Sequence, residues 1–308
     1  MEVISLLPHG FCQGVVRAIK DAIKVREENP NLKIGVLGMI VHNSYVVNLL
    51  NDYNIKSYNY NFNNVHEVIE TIEDDIVILT AHGTRSDIVE HLNKKGIKIV
   101  DTTCSYVINT YKLIKEELKN NHEVIYLGVK DHPEAEFSKG ANPNKVHLVT
   151  STDDVKALDL TDESPLLVNQ TTISMNKINE LTSLIIKKYP KSRFSNEQCD
   201  ATRRRQEAVL NMPKDCDIAF IIGDKKSNNT RELYLLAKQI IEDSYMISSL
   251  DKLDINLLKN KKKAALTSGA STPETLFKEI FNFLNQFNEE DISTHDKSKF
   301  FINGIKIL

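Results

Sequence analysis

The 308-residue sequence contains only four cysteines, and no two of them form a close Cys-x-x-Cys pair. A disulfide framework is not expected for so few cysteines in a chain this long. Structural zinc sites usually take two ligands from a tight Cys-x-x-Cys or His-x₃-His pair, and the lack of one counts against a closed zinc site of three cysteines and a histidine. No run of about 18 apolar residues occurs, so no membrane-spanning helix is expected. The apolar stretch at the N-terminus is cut off by Pro8 and Gly10, too soon for a signal peptide. Nor is there an excess of one charge: the formal net charge is −3, which leaves no basic field for nucleic acid. No low-complexity linker interrupts the chain. These absences lead us to expect a cytoplasmic protein with reduced thiols, no membrane and no nucleic acid.

What the chain does have is alternation. Hydrophobic residues make up 41% and charged residues 26%, an ordinary balance for a globular protein. The length corresponds to about two domains at roughly 150 residues each. Short β-branched runs predict strands at 3–7, 33–37, 76–80, 98–102, 123–127, 146–150, 166–169, 218–222, 245–248 and 263–267. Amphipathic stretches between them predict helices, among them 15–28, 105–120, 176–188, 202–211, 231–242 and 273–285. This alternation implies an α/β fold of parallel sheets with helices on their faces. The unbroken apolar runs Ile76-Val77-Ile78-Leu79 and Ile218-Ala219-Phe220-Ile221-Ile222 fit strands buried on both faces. Cuts near the cysteines give three α/β units, 13–103, 104–197 and 198–283, with 1–12 joining the third. A tail at 284–308 remains, in which Asn303-Gly304 between apolar flanks signals a hairpin.

Cys12, Cys104 and Cys199 fall at nearly even intervals, and each opens a predicted helix. A thiolate is a soft metal ligand, and a helix N-terminus favours the anion. Any one cysteine can instead be a small buried apolar residue. Cys216, in Asp215-Cys216-Asp217 before a buried strand, is read that way. The shared context of the other three points to one metal centre assembled by the finished fold. A cubane iron–sulfur cluster normally takes four thiolates, so three would leave one iron open.

Several turns at predicted strand ends suit an anion. His42 lies in Val41-His42-Asn43-Ser44, His82 in Ala81-His82-Gly83, and His132 in Asp131-His132-Pro133-Glu134. Thr171 and Thr172 lie in Gln170-Thr171-Thr172-Ile173-Ser174, and Ser227, Asn228 and Asn229 in a polar loop that feeds a helix. Ser271 precedes Pro273. Backbone N–H groups at helix starts, small hydroxyls, amides and imidazoles hold phosphate well. The competing account is helix capping, for which Ser271 is a good candidate. His9 turns the chain, while His66, His91, His122, His147 and His295 are read as surface or helix residues. Glu134 is either a first-turn glutamate favoured by the helix dipole or a desolvated acid with its proton retained at neutral pH.

Taken in order, these strings resemble the LytB-type 4-hydroxy-3-methylbut-2-enyl diphosphate reductases over residues 1 to about 283. The resemblance rests on Gly10-Phe11-Cys12-Gln13-Gly14-Val15 with Arg17-Ala18-Ile19, Val41-His42-Asn43-Ser44-Tyr45, Ala81-His82-Gly83 and Asp101-Thr102-Thr103-Cys104. It continues through His132-Pro133-Glu134, Gln170-Thr171-Thr172-Ile173-Ser174, Cys199-Asp200-Ala201-Thr202 with Arg205-Gln206-Glu207-Ala208, Ser227-Asn228-Asn229-Thr230 and Gly269-Ala270-Ser271-Thr272-Pro273. It implies three similar α/β units, mainly parallel, around a central [4Fe–4S] cluster. It also implies the last step of the methylerythritol phosphate route to isoprenoids, yielding isopentenyl and dimethylallyl diphosphate with electrons from ferredoxin or flavodoxin.

By this resemblance Cys12, Cys104 and Cys199 would hold three irons and the fourth iron would take the substrate hydroxyl. Glu134 would donate the proton, with Thr171 orienting the hydroxyl and His132 close by. His42, His82, Ser227, Asn229 and Ser271 would grip the diphosphate, supported by Asn228 and Thr172. Asn228 stands where many relatives have serine, and an amide can replace that donor. Ser105 stands where proline is common. An aconitase-like hydro-lyase and an iron–sulfur sensor without turnover remain alternatives; only a reductase consumes electrons along with an allylic diphosphate.

Overall fold

A computed structural model describes residues 1–302, so the hairpin expected at Asn303-Gly304 lies outside the described residues. In chain order the strands are β1 (Glu2–Ser5), β2 (Ile34–Leu37), β3 (Ile55–Tyr58), β4 (Ile76–Leu79), β5 (Lys98–Asp101), β6 (Val124–Leu127), β7 (Val146–Val149), β8 (Leu166–Asn169), β9 (Arg193–Phe194), β10 (Ile218–Ile222), β11 (Ser244–Ile247) and β12 (Lys263–Ser268). The helices are α1 (Gln13–Glu28), α2 (Ser44–Asp52), α3 (Val65–Glu70), α4 (Ser86–Lys94), α5 (Ser105–Lys119), α6 (Pro133–Lys139), α7 (Thr152–Ala157), α8 (Met175–Lys188), α9 (Asp200–Leu210), α10 (Asn228–Lys238) and α11 (Glu274–Gln286).

All strand pairs are parallel and build three four-stranded sheets, ordered β3-β2-β4-β5, β7-β6-β8-β9 and β11-β10-β12-β1. The order is the same each time: second, first, third, fourth. In the last sheet the N-terminal β1 takes the fourth place beside β12. The chain divides into two compact units, residues 17–199 with the first two sheets, and residues 1–16 with those from Asp200 onward. The stretches expected as separate units at 13–103 and 104–197 thus have their sheets within one compact unit.

Burial follows the sheet order. The two central strands of each sheet, β2 with β4, β6 with β8 and β10 with β12, are buried along almost their whole length. Helices cover both faces, which is why these strands read as continuous apolar runs. Alternate residues of β6 serve opposite faces: Val124 and Tyr126 enter one apolar cluster, Ile125 and Leu127 another. Each large apolar side chain fully buried this way contributes about 1.5–3 kcal/mol. In the other unit Ala219 and Ile221 of β10 pack with Val209 of α9 and Leu233 of α10. No helix among the described residues is long and apolar enough to cross a membrane.

The end of the described chain docks on α11. The Ile302 N–H donates to Glu279 at 2.9 Å, and Phe300 meets Phe283 edge-on with centroids 5.6 Å apart.

Candidate active site

The expected site residues follow one topological rule. In a sheet of this order the chain runs off in opposite directions from the two central strands, and a crevice opens beyond their carboxyl ends. His42 follows β2 and His82 follows β4; His132 and Glu134 follow β6, and Thr171 and Thr172 follow β8; Ser227 to Asn229 follow β10 and Ser271 follows β12. Cys12, Cys104 and Cys199 follow β1, β5 and β9, the fourth strand of each sheet.

Within residues 17–199 the three histidines meet. His42 stacks on His82 with ring centroids 4.1 Å apart, and both present edges to His132, at 5.3 and 5.6 Å. His132 is the N-cap of α6: its Nδ1 accepts the Glu134 N–H at 3.2 Å. The ring proton is thereby assigned to Nε2 when His132 is neutral. Burial, and next the charge of His42, lower the His132 pKa to about 3. His82 is likewise held well below the usual histidine value, first by burial and then by its two neighbours. At neutral pH the pair offers neutral N–H donors to an incoming anion.

Glu134 lies beside this group, 2% exposed in the first turn of α6. Both readings of it are met, since it is a first-turn glutamate and a desolvated one. Its Oε1 accepts the Thr171 N–H at 2.7 Å and the Tyr126 O–H at 3.1 Å, and its Oε2 accepts the Thr171 Oγ1–H at 2.9 Å. Burial raises the carboxyl to about 7, against hydrogen bonds from Thr171 and Tyr126 that pull it down. It therefore retains its proton well above the ordinary carboxylate range. The Gln170 amide fixes the Thr171 turn, donating to Thr172 Oγ1 at 2.9 Å and accepting the Val129 N–H at 3.0 Å.

In the other unit Ser227 is the N-cap of α10, and its Oγ accepts the Thr230 N–H at 3.3 Å. Capping uses the oxygen and leaves the hydroxyl hydrogen to donate, so capping does not preclude contact with an anion. Asn228 and Asn229 are helical residues of α10, which starts three residues earlier than expected. The Asn229 Oδ1 accepts the Ala270 N–H at 2.9 Å, joining the loops that follow β10 and β12. Ser271 is buried here but does not cap the last helix: the N-cap of α11 is Pro273, with no side-chain cap bond. The helix starts at Glu274, one residue beyond the expected 273.

Gly269 permits the close approach of these loops. A Cβ there would lie 2.1 Å from Thr230 Oγ1, and Thr230 is fully buried. We predict that Gly269→Ala lowers stability by about 1–3 kcal/mol in chemical denaturation. Adding Thr230→Ala should recover most of that loss; an unchanged midpoint in the single variant would refute the close-packing account.

None of the four cysteines is in a disulfide. Cys104 is the N-cap of α5, and Cys12 and Cys199 immediately precede α1 and α9. The backbone N–H of each donates to the loop after the third strand of its own sheet: Cys12 to Ala270 O at 2.9 Å, Cys104 to Ala81 O at 3.0 Å and Cys199 to Thr171 O at 3.2 Å. Each cysteine is thus tied beside Ser271, beside His82 or to Thr171 itself. Cys12 belongs to one compact unit, Cys104 and Cys199 to the other. No group of three or more histidine, cysteine or acidic side chains is placed to hold a metal ion among the described residues. The donor set nonetheless has the chemistry of an iron–sulfur site: soft, half-buried thiols, each at a helix start. Cys216 lies in the apolar cluster around β10, where burial raises its thiol pKa, as expected of a structural cysteine.

Sequence reasoning assigned no role to Tyr126, Gln170 or Asn169. Tyr126 sits inside an apolar strand, where its only signal was a polar tip in a run of aliphatic residues. Burial, then the Glu134 charge, push its phenol well above its ordinary pKa, so it stays a neutral donor. Asn169, fully buried, accepts the Glu197 N–H at 3.1 Å, two residues before Cys199. His9 does more than turn the chain: it stacks on Phe277 at 3.6 Å, and its Nδ1 lies 2.8 Å from Glu274.

Comparison with known proteins gives the family. The family model described as LytB protein matches residues 3–285. A 4-hydroxy-3-methylbut-2-enyl diphosphate reductase of Geobacillus thermodenitrificans is 38% identical over 302 residues, covering 97% of this chain and 95% of the relative. One from Brevibacillus brevis is 38% identical over 311 residues, covering 100% and 99%. Among solved structures, the E-1-hydroxy-2-methyl-but-2-enyl-4-diphosphate reductase of Plasmodium falciparum is similar with a TM-score of 0.85 and 28% identity, over 92% of this chain and 88% of that one. A second structure, of (E)-4-hydroxy-3-methyl-but-2-enyl diphosphate reductase, the terminal enzyme of the non-mevalonate pathway, has a TM-score of 0.64 at 29% identity, over 93% and 99%. The chain belongs to the LytB protein family.

Proposed function

We propose that this chain reduces (E)-4-hydroxy-3-methylbut-2-enyl diphosphate to isopentenyl and dimethylallyl diphosphate, the last step of the methylerythritol phosphate route. It does so in the cytoplasm, with ferredoxin or flavodoxin as electron donor. The observation that carries the reading is Glu134, a buried acid that still holds a proton near neutral pH and is bonded through Thr171 to a loop beside the histidines. An allylic hydroxide is a poor leaving group, and protonation turns it into water. The reaction takes two electrons and two protons; one proton leaves in the water and the other ends on carbon.

Thr171 Oγ1 gives its hydrogen to Glu134 and keeps lone pairs for the substrate hydroxyl, so it orients that group toward the acid. His42, His82 and His132 donate ring N–H groups to the diphosphate. Ser227, Asn228, Asn229 and Ser271, with Thr172, add hydroxyl and amide donors, and the 11-residue α10 turns its positive end to the anion. The diphosphate, buried among these donors, can serve as the second proton source. Cys12, Cys104 and Cys199 would hold a [4Fe–4S] cluster, which when bound supplies the electrons and a Lewis-acidic iron. Residues 13–103, 104–197 and 198–283 with 1–12 are then three versions of one α/β unit, each giving one pair of crevice loops.

The test is an anaerobic assay with reduced methyl viologen. We expect two viologens oxidised per substrate, with both alkenyl diphosphates as products. Conversion without electron consumption would make the protein a hydro-lyase, and no conversion by iron-loaded protein would make it a sensor.

A further inference from the structure

Arg17 and Arg205 belong to the sequence motifs, but the reaction uses neither. Both lie on helices that follow a cysteine, and each reaches the segment that precedes a different one. Arg17, on α1 five residues after Cys12, donates through Nη2 to the carbonyls of Thr102, at 3.4 Å, and Thr103, more closely. Thr103 is the residue before Cys104. Arg205, on α9 six residues after Cys199, donates through Nη2 to the Gly10 carbonyl at 2.8 Å, while its Nη1 holds the Ala201 carbonyl at 2.9 Å. Gly10 is two residues before Cys12. The remaining helix completes the pattern. On α5, six residues after Cys104, the Thr110 hydroxyl donates to the Tyr106 carbonyl at 3.1 Å and also lies 3.4 Å from Glu197 Oε2, and Glu197 is two residues before Cys199.

We propose that these three contacts are a cyclic set of positioning interactions: the helix after each cysteine holds the turn carrying the next. The cycle runs from Cys12 to Cys104, from Cys104 to Cys199 and from Cys199 back to Cys12. Each contact lies within one compact unit. The chemistry suits the task. A guanidinium has fixed planar donors and no competing lone pair, so it clamps a backbone carbonyl firmly. Arg205 is only 3% exposed, so its two carbonyl bonds are shielded from water. The held turns are anchored elsewhere through their N–H groups, and the two arginines take their carbonyls. Gly10 adopts φ +74°, and a Cβ there would lie 2.7 Å from Glu274 Oε2. Its N–H donates to Ser268 Oγ at 2.8 Å, which leaves its carbonyl for Arg205. In the Cys104 turn the Thr103 N–H is taken by Asp101 Oδ1 at 2.8 Å, leaving the carbonyl for Arg17.

The consequence is non-local: loosening a contact affects the next cysteine around the cycle, not the one nearest in sequence. The inference deepens the proposed function, since it rests on these cysteines being the ligands. It is tested by treating anaerobically purified full-length protein with iodoacetamide and following alkylation of each cysteine by peptide mass spectrometry. Arg205→Met is expected to speed alkylation of Cys12 at least fivefold relative to Cys199, and Arg205→Lys to reverse most of the change. Arg17→Met is expected to speed Cys104 relative to Cys12. Arg17 is about half exposed, so this variant tests the idea even if Arg205→Met does not fold. A larger effect at the cysteine nearest in sequence, an equal rise at all four including Cys216, or no change would overturn the proposal. Iron content of the same samples separates the two readings. Iron-loaded protein with the wrong order contradicts the cycle alone, whereas wild-type protein that takes up no iron contradicts the ligand assignment while the alkylation order still reports on the cycle.

Discussion

Replacing Glu134 with glutamine is expected to lower turnover by roughly 10²–10⁴, the usual worth of a positioned acid, while substrate binding and iron content stay close to wild type. The substitution keeps the shape of the site. The amide oxygen can still accept from the Thr171 N–H and the Tyr126 O–H, and the amide N–H can donate to Thr171 Oγ1. Only the transferable proton is lost. The same assignment predicts a pH dependence. Burial holds the carboxyl at about 7, so turnover of the wild type should fall as pH rises through that value. Stability follows the same titration. The folded-state pKa is raised above the unfolded one, so stability is full below the unfolded value and is lost as pH rises through about 7. The loss approaches about 3 kcal/mol at higher pH. Glu134→Gln should therefore melt no lower than wild type at pH 8.5 while being nearly inactive. Undiminished turnover would show that the proton comes from elsewhere.

Cys12→Ser is expected to reduce bound iron from about four atoms per chain to well below one and to abolish the brown colour and the activity. A serine hydroxyl is a hard donor with a far higher pKa than a thiol, so it replaces a thiolate on iron poorly. Unfolding is the competing explanation, and Cys216→Ala is the control. Cys216 sits in the apolar cluster around β10, so its loss should cost some stability and leave iron and turnover unchanged. Iron and sulfide analysis of anaerobically purified variants decides the matter. Full iron in Cys12→Ser, or loss of iron in Cys216→Ala, would reverse the roles given to the two residues.

The central strands were legible because burial on both faces leaves a run of aliphatic residues, as in Ile76–Leu79 and Ile218–Ile222. The edge strands β3 and β9 were not. Ile55-Lys56-Ser57-Tyr58 alternates weakly and Arg193-Phe194 is exposed, so neither carries the pattern that burial imposes. The start of α10 was placed late because Asn228-Asn229-Thr230 reads as a loop when the capping of Thr230 by Ser227 is not visible. Positions at strand ends located His42, His82 and His132, but their mutual stacking depends on how two sheets pack, which no local pattern encodes. The partners of Arg17 and Arg205 lie 85 and 195 residues away in sequence, beyond the reach of any periodicity.

The most direct measurement is Mössbauer spectroscopy of the protein reconstituted with iron-57 and held without oxygen. Three thiolates on a four-iron cluster predict two classes of iron site in a 3:1 ratio. Four equivalent sites, or a spectrum of mononuclear iron alone, would contradict the account.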